Sequence, residues 1–247
     1  MAKNFWDIVN KVIHEADVIL LLLDSRLIDG TRNQEVEAKV REAGKPLIYV
    51  ITKCDLVEKE TLEKIPLRPS VFVSSTQHYG TTILRDRILI ESKKRYKNKD
   101  SFNVGVLGYP NVGKSSLINA MKGKHSAPTS SVSGFTKSMQ KIKSDNSIVF
   151  LDTPGVLPYK EKDEAKHALI GAVDFSKVKD PESAVISLLQ NYPGKIESYY
   201  QIPASKDFDE VIEAIAKKRN MLKKHAEPDL ERAYRLILKD WQDGKIA

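Results

Sequence analysis

The chain has 247 residues, 40 Lys and Arg against 33 Asp and Glu, a net charge of +7 and 41% hydrophobic content, enough for one α/β domain of about 150 residues with a smaller companion. Its longest apolar run, Val18 to Leu23, is far short of the roughly 20 residues that span a bilayer. The single cysteine, Cys54, excludes an intramolecular disulfide and cannot make a zinc site by itself. A cytoplasmic monomer without membrane association is expected.

In chain order, Phe5, Ile8, Val9, Val12 and Ile13 recur at helical spacing, and the run Val18 to Leu23 reads as a buried strand ending at Asp24. Glu35 to Ala43 reads as a helix between that strand and a second, Pro46 to Ile51, and Val71 to Val73 is a third. Strands alternating with helices predict a parallel sheet. A helix from Thr82 to Lys94 runs into a basic, weakly periodic junction, Lys93 to Asp100. Phe102 to Leu107 is strand-like and enters a glycine turn at Gly108, and a helix is predicted over Ser115 to Met121. Lys137 to Lys143 and Ile148 to Asp152 flank the turn residues Ser144 to Ser147, as in a hairpin.

Beyond Pro158 the pattern turns helical. Asp180 caps a helix that begins with Pro181, and two further apolar stripes run through Phe208, Val211, Ile212, Ile215 and Ala216, and through Leu230, Tyr234, Ile237, Leu238 and Trp241. The expected division is an α/β domain over residues 1–163 and a small all-α domain over 164–247. Charge is uneven: residues 81–99 hold seven Lys and Arg against Asp86 and Glu91, and Ser116 to Ser144 carries Lys122, Lys124, Lys137, Lys141 and Lys143 without an acid. Both runs can attract phosphate or be plain solvated surface.

Gly108-Tyr109-Pro110-Asn111-Val112-Gly113-Lys114-Ser115 matches the phosphate-loop pattern G-x4-G-K-[ST] between a strand and a helix. In that setting backbone N–H groups of the loop, extended by Ser116, close around phosphates. Lys114 bridges the β and γ oxygens, and the Ser115 hydroxyl ligates Mg²⁺. Asp152-Thr153-Pro154-Gly155 ends the strand Ile148 to Leu151, placing the Asp152 carboxylate toward Mg²⁺ and the Gly155 amide toward a γ phosphate. Thr136 is the candidate loop hydroxyl for the metal and the γ phosphate. Thr52-Lys53-Cys54-Asp55 follows the second strand. There the Asp55 carboxylate can accept both the ring N–H and the exocyclic amine of guanine, the stem of Lys53 can cover the base, and Ser74 and Ser75 can meet the base oxygen.

These motifs, with Lys53 preceding Lys114 and with Asp24-Ser25-Arg26 after the first strand, resemble the circularly permuted GTPases of the YlqF/YawG group. The resemblance implies a Ras-like P-loop domain, hydrolysis of GTP to GDP with Mg²⁺, and a helical C-terminal domain that helps engage ribosomal RNA during assembly of the large ribosomal subunit. Thr52 departs from the pattern, because most GTPases carry Asn there, so its contact with the far edge of guanine is expected to be weaker or differently made. Ser133 stands where a proline commonly precedes Gly134. Val156 and Leu157 occupy the stretch where Ras-type enzymes hold a water-orienting Gln, so slow intrinsic turnover is expected. Asn111 is then the candidate ligand of a K⁺ ion beside the phosphates, or else a turn residue suited to the loop. The alternative function is a nucleotide-gated RNA-binding module with negligible turnover.

Overall fold

The computed structural model describes residues 5–122, 139–153 and 163–246 and divides into two compact units, Met1–Glu161 and Lys162–Ala247. In the first, helix α1 (Phe5–Glu15) leads into strand β1 (Val18–Asp24), followed by α2 (Ile28–Thr31), α3 (Gln34–Glu42), β2 (Leu47–Thr52), α4 (Lys59–Glu63), β3 (Ser70–Val73) and α5 (Thr81–Arg95). Then come β4 (Phe102–Leu107), α6 (Lys114–Met121), β5 (Gln140–Lys143) and β6 (Ile148–Asp152). The six strands form one sheet in the order β3-β2-β1-β4-β6-β5. All neighbours are parallel except β5, which pairs antiparallel with β6.

β1 is central and every one of its residues is buried, because a parallel sheet needs crossover helices on both faces. Ile19, Leu21 and Leu23 pack with Val9, Val12, Val36 and Val40 of α1 and α3. Val18, Leu20 and Leu22 pack with Leu84 and Ile88 of α5 and Leu117 and Ile118 of α6. Alternation of side chains across the strand thus sends consecutive residues into two cores, and each buried aliphatic side chain contributes about 1.5–3 kcal/mol. The register aligns the strand ends: Asp24 lies beside Thr52, and Thr52 beside Val73.

The junction between α5 and β4 is pinned where Asp17 Oδ2 accepts from Lys99 Nζ at 2.5 Å and from the Asn103 backbone N–H at 2.8 Å. Of the predicted hairpin, Lys137 and Ser138 lie outside the described residues. Gln140–Lys143 pairs with Val149–Asp152.

The second unit is helical over its described residues: α7 (Glu164–Leu169), α8 (Pro181–Asn191), α9 (Lys195–Tyr200), α10 (Phe208–Lys218) and α11 (Leu230–Gln242). Asp163, Asp180, Asp207 and Asp229 each accept a hydrogen bond from a backbone N–H in the first turn of α7, α8, α10 and α11, each cap contributing about 1 kcal/mol. Trp241 is buried in the core with its Nε1–H donating to the Leu169 carbonyl at 2.9 Å. Tyr200 is also core, its hydroxyl donating to Asp240 at 2.8 Å.

Candidate functional site

The described motif residues gather at one edge of the sheet, at and beyond the carboxyl ends of β1, β2, β3, β4 and β6, which is where open parallel sheets bind ligands. The turn after β4 is shaped by three left-handed or glycine-only backbones, Gly108 at φ 153°, Asn111 at φ 57° and Gly113 at φ 101°. A Cβ on Gly108 would lie 3.0 Å from the Leu22 carbonyl oxygen, a tight contact at a φ that side-chain-bearing residues rarely adopt, so glycine suits both the backbone and the close approach to β1. Tyr109 and Val112 are buried and hold the loop down, while Asn111 and Ser115 are exposed. Asn is one of the few residues that accept a left-handed backbone, so the loop conformation accounts for Asn111 whether or not it holds a cation.

Lys114 opens α6 and is 7% exposed. Its ammonium donates to the carbonyls of Gly108 at 2.9 Å and Tyr109 at 2.5 Å, folding across its own loop. Burial pushes its pKa down to about 8, against the pull of the Asp152 carboxylate. Asp152 ends β6 as a buried residue, and the next residue, Thr153, donates to the Val106 carbonyl at 3.0 Å, tying this strand end to β4. A buried cation, a carboxylate and the first-turn residues Ser115 and Ser116 thus share one strand-end region, a donor set that fits a polyphosphate and a hard divalent cation. Thr136 and Gly155 lie outside the described residues, as do Ser133, Gly134, Val156 and Leu157.

In the loop after β2, the Thr52 side chain turns toward the phosphate loop. The side chain is 3% exposed, and its hydroxyl lies 3.0 Å from the Leu23 carbonyl and 2.7 Å from that of Val112. A hydroxyl used on two buried carbonyls braces the phosphate loop against β1 and β2. Lys53 follows in a left-handed conformation at φ 54°, a costly backbone for a residue with a Cβ. It is held there by hydrogen bonds from Ser25 Oγ at 2.7 Å and the Leu56 N–H at 3.0 Å to its carbonyl. Asp55 is exposed in the short 3-10 turn that follows.

Asp24 completes this corner. It is 1% exposed and receives Arg26 Nε and Nη2 at 3.1 and 3.0 Å, the Arg26 backbone N–H at 3.0 Å and Lys53 Nζ at 2.7 Å. Burial opposes its ionisation, yet Arg26 and then Lys53 hold its carboxyl well below the usual carboxylate range. Sequence reasoning singled out Asp24 and Arg26 only through the family resemblance. The available physical signal was a charged Asp-x-Arg closing a wholly apolar strand.

Of the serine pair after β3, Ser74 is fully buried, its hydroxyl 3.0 Å from Thr76 Oγ1 and accepting from the Gln77 N–H at 3.2 Å. Ser75 is half-buried. The loop is closed by a paired backbone contact between Ser74 and Tyr79 and by Gly80 at φ 80°, where a Cβ would stand 2.0 Å from the Phe72 carbonyl oxygen.

A parallel sheet with a lysine-bearing phosphate loop after β4, a carboxylate after β6 and a T-K-x-D turn after β2 defines a P-loop GTPase whose base-reading half precedes its phosphate-binding half. Residues 103–226 match the family model described as 50S ribosome-binding GTPase, and the chain belongs to that family. It is 42% identical to a GTP-binding protein of Methanocaldococcus jannaschii, over 97% of this chain and 65% of that protein. It is 34% identical to the nuclear GTP-binding protein NUG1 of Saccharomyces cerevisiae, over 99% of this chain and 55% of that one, so the chain spans only part of the length of these relatives. In structure it is similar to YlqF from T. maritima bound to GNP, with a TM-score of 0.66, 23% identity and coverage of 98% of this chain and 94% of that one. The fold is therefore the circularly permuted G domain with a helical C-terminal region. No helix among the described residues is long and apolar enough to cross a membrane.

Proposed function

We propose that this chain binds GTP and GDP with Mg²⁺, hydrolyses GTP slowly, and serves in assembly of the large ribosomal subunit by contacting ribosomal RNA. The observation that supports it most is the Thr52 hydroxyl on the Val112 carbonyl, which joins the base-reading loop to the phosphate loop so that Asp55 and Lys114 serve one ligand. Mg²⁺ when bound neutralises phosphate charge. In this reading Ser115, Asp152 and Thr136 hold it, while the chain's own groups do the rest. Lys114 exchanges its carbonyl partners for phosphate oxygens, the backbone N–H groups from Gly108 to Ser116 other than Pro110 orient the phosphates, Gly155 meets the γ phosphate, and Asp55 selects guanine with Lys53, Ser74 and Ser75 around the base. Thr52 acts here through the phosphate loop and not on the far edge of the base.

A family model named for 50S binding and relatives named as nuclear and nucleolar proteins support a ribosomal partner. The chain then works where large subunits are built, in the nucleolus of a nucleated cell or the cytoplasm of one without. The alternative, a nucleotide-gated RNA-binding module with negligible turnover, draws on Val156 and Leu157 standing where a water-orienting Gln is found in Ras-type enzymes.

The test has two parts. Labelled GTP, GDP, ATP and XTP are titrated onto the wild type and Asp55→Asn: the wild type should prefer guanine and the variant should shift toward the xanthine nucleotide. Equal GTP and ATP affinity in the wild type would end the reading. Co-sedimentation with ribosomal subunits, with turnover measured in their presence and absence, then separates the enzyme from the gated binder.

A further inference from the structure

Asp24 is more heavily committed than a strand-end carboxylate needs to be. A carboxylate offers about four lone-pair positions, and four donors fill them here: the Arg26 backbone N–H, Arg26 Nε and Nη2, and Lys53 Nζ, all within 3.1 Å. Arg26 alone would balance the charge of Asp24. The Lys53 ammonium is an addition to an already neutral pair, and it is bought with a left-handed backbone at Lys53 and with partial burial of a second cation. Ser25, between the two motif residues, also reaches the same loop, its N–H on the Thr52 carbonyl at 3.0 Å and its hydroxyl on that of Lys53 at 2.7 Å. Three consecutive residues, the last of β1 and the two that follow, therefore fix both the backbone and the side-chain tip of one residue after β2.

We propose that Asp24, oriented by Arg26, is a positioning residue that anchors the Lys53 ammonium so that the lysine stem stands as a fixed wall of the base site. It sets affinity for the base without touching the nucleotide. The inference rests on the reading that this edge binds guanine nucleotide. With the tip tethered, the four-carbon stem loses its rotameric freedom before the ligand arrives, and binding need not order it again. An untethered lysine beside an exposed base would cover it only part of the time.

The experiment is a double-mutant cycle on the full chain, with GDP and inorganic pyrophosphate as probes and thermal melts recorded for every variant. Asp24→Asn should weaken GDP about tenfold in the wild-type background and less than about twofold in a Lys53→Ala background. Pyrophosphate, which has no base, should bind Asp24→Asn as it binds the wild type. Equal losses in both backgrounds, or a parallel loss for pyrophosphate, would show Asp24 to be a general brace and overturn the proposal. Lys53→Met guards against a variant that fails to fold, because it keeps a long stem and leaves the Asp24–Arg26 pair intact. It should lose GDP affinity by the same factor as Asp24→Asn, and wild-type affinity would show that the stem needs no anchor. If instead the wild type does not prefer GDP to ADP, the guanine reading itself has failed, a result distinct from either outcome of the cycle.

Discussion

Replacing Thr52 by Val tests whether this residue holds the phosphate loop or reads the base. The change is nearly isosteric and deletes only the hydroxyl that lies 2.7 Å from the Val112 carbonyl and 3.0 Å from the Leu23 carbonyl. Both carbonyls belong to buried residues, so no water replaces the lost donor, and stranding a buried acceptor costs about 1–3 kcal/mol. Taking about 2 kcal/mol, the melting midpoint of the first unit should fall by roughly 4–8 °C. The loop also loses its tether to β2, so affinity for every nucleotide should drop. The assay compares GDP with 7-deaza-GDP, which lacks the acceptor on the far edge of the base. A residue that acts through the loop weakens both ligands by the same factor. If Thr52→Val weakens GDP alone and erases the preference between the two, the hydroxyl contacts the base and the brace is secondary.

Lys114 should make nucleotide binding pH-dependent. Its folded pKa of about 8 is below the ordinary lysine value of 10.5, so the free protein loses this proton above pH 8 while phosphates keep it bound in the complex. Affinity should therefore fall about tenfold between pH 7 and pH 9 with proton uptake by calorimetry, and Lys114→Arg, which stays charged, should remove the lysine share and leave only what guanine itself contributes. The same shift makes the free protein gain stability from this group between pH 8 and 10.5, since the unfolded chain holds a proton the folded one has released; a denaturation series over that range in wild type and Lys114→Met checks the sign. Gly80→Ala should cost at least about 2 kcal/mol by forcing a Cβ against the Phe72 carbonyl at positive φ, read as a lowered urea midpoint. Turnover in KCl should exceed that in NaCl at equal ionic strength, with Asn111→Ala removing the difference; equal rates in the wild type would leave Asn111 as a turn residue only.

The parts of the fold that were legible are those where one physical signal dominates a long segment. Val18 to Leu23 could only be a strand buried on both faces, and the stripe from Phe5 to Ile13 only a core-facing helix. The short helices α2 and α4, of four and five residues, are too brief for a 3.6-residue period to register, and packing next to β1 and β2 decides them. At the site, Lys114 and Asp55 are readable because backbone turn and chemistry are encoded within eight and four neighbouring residues. The working partner of Thr52 is a carbonyl 60 residues away and that of Lys53 is a carboxylate on another strand, so neither contact leaves a local trace. The sequence expectation at Thr52, a contact with guanine weaker than or different from that of the usual Asn, followed from its position in a motif. The buried hydroxyl follows from the adjacency of β1, β2 and the phosphate loop.

The central position of β1 has a consequence for how the chain is made. Its partner on one side, β2, follows it closely, but its partner on the other, β4, begins only at Phe102, after the whole of α5. At about 5–20 residues per second of synthesis, the half-sheet β3-β2-β1 waits on the order of seconds with the most apolar strand of the protein as an open edge. In an unpermuted arrangement of the same sheet the strand bearing the phosphate loop would already be in place when β1 appeared. Reordering the motifs therefore leaves β1 with an open edge until β4 emerges, a vulnerability that belongs to the order of synthesis and not to the finished fold.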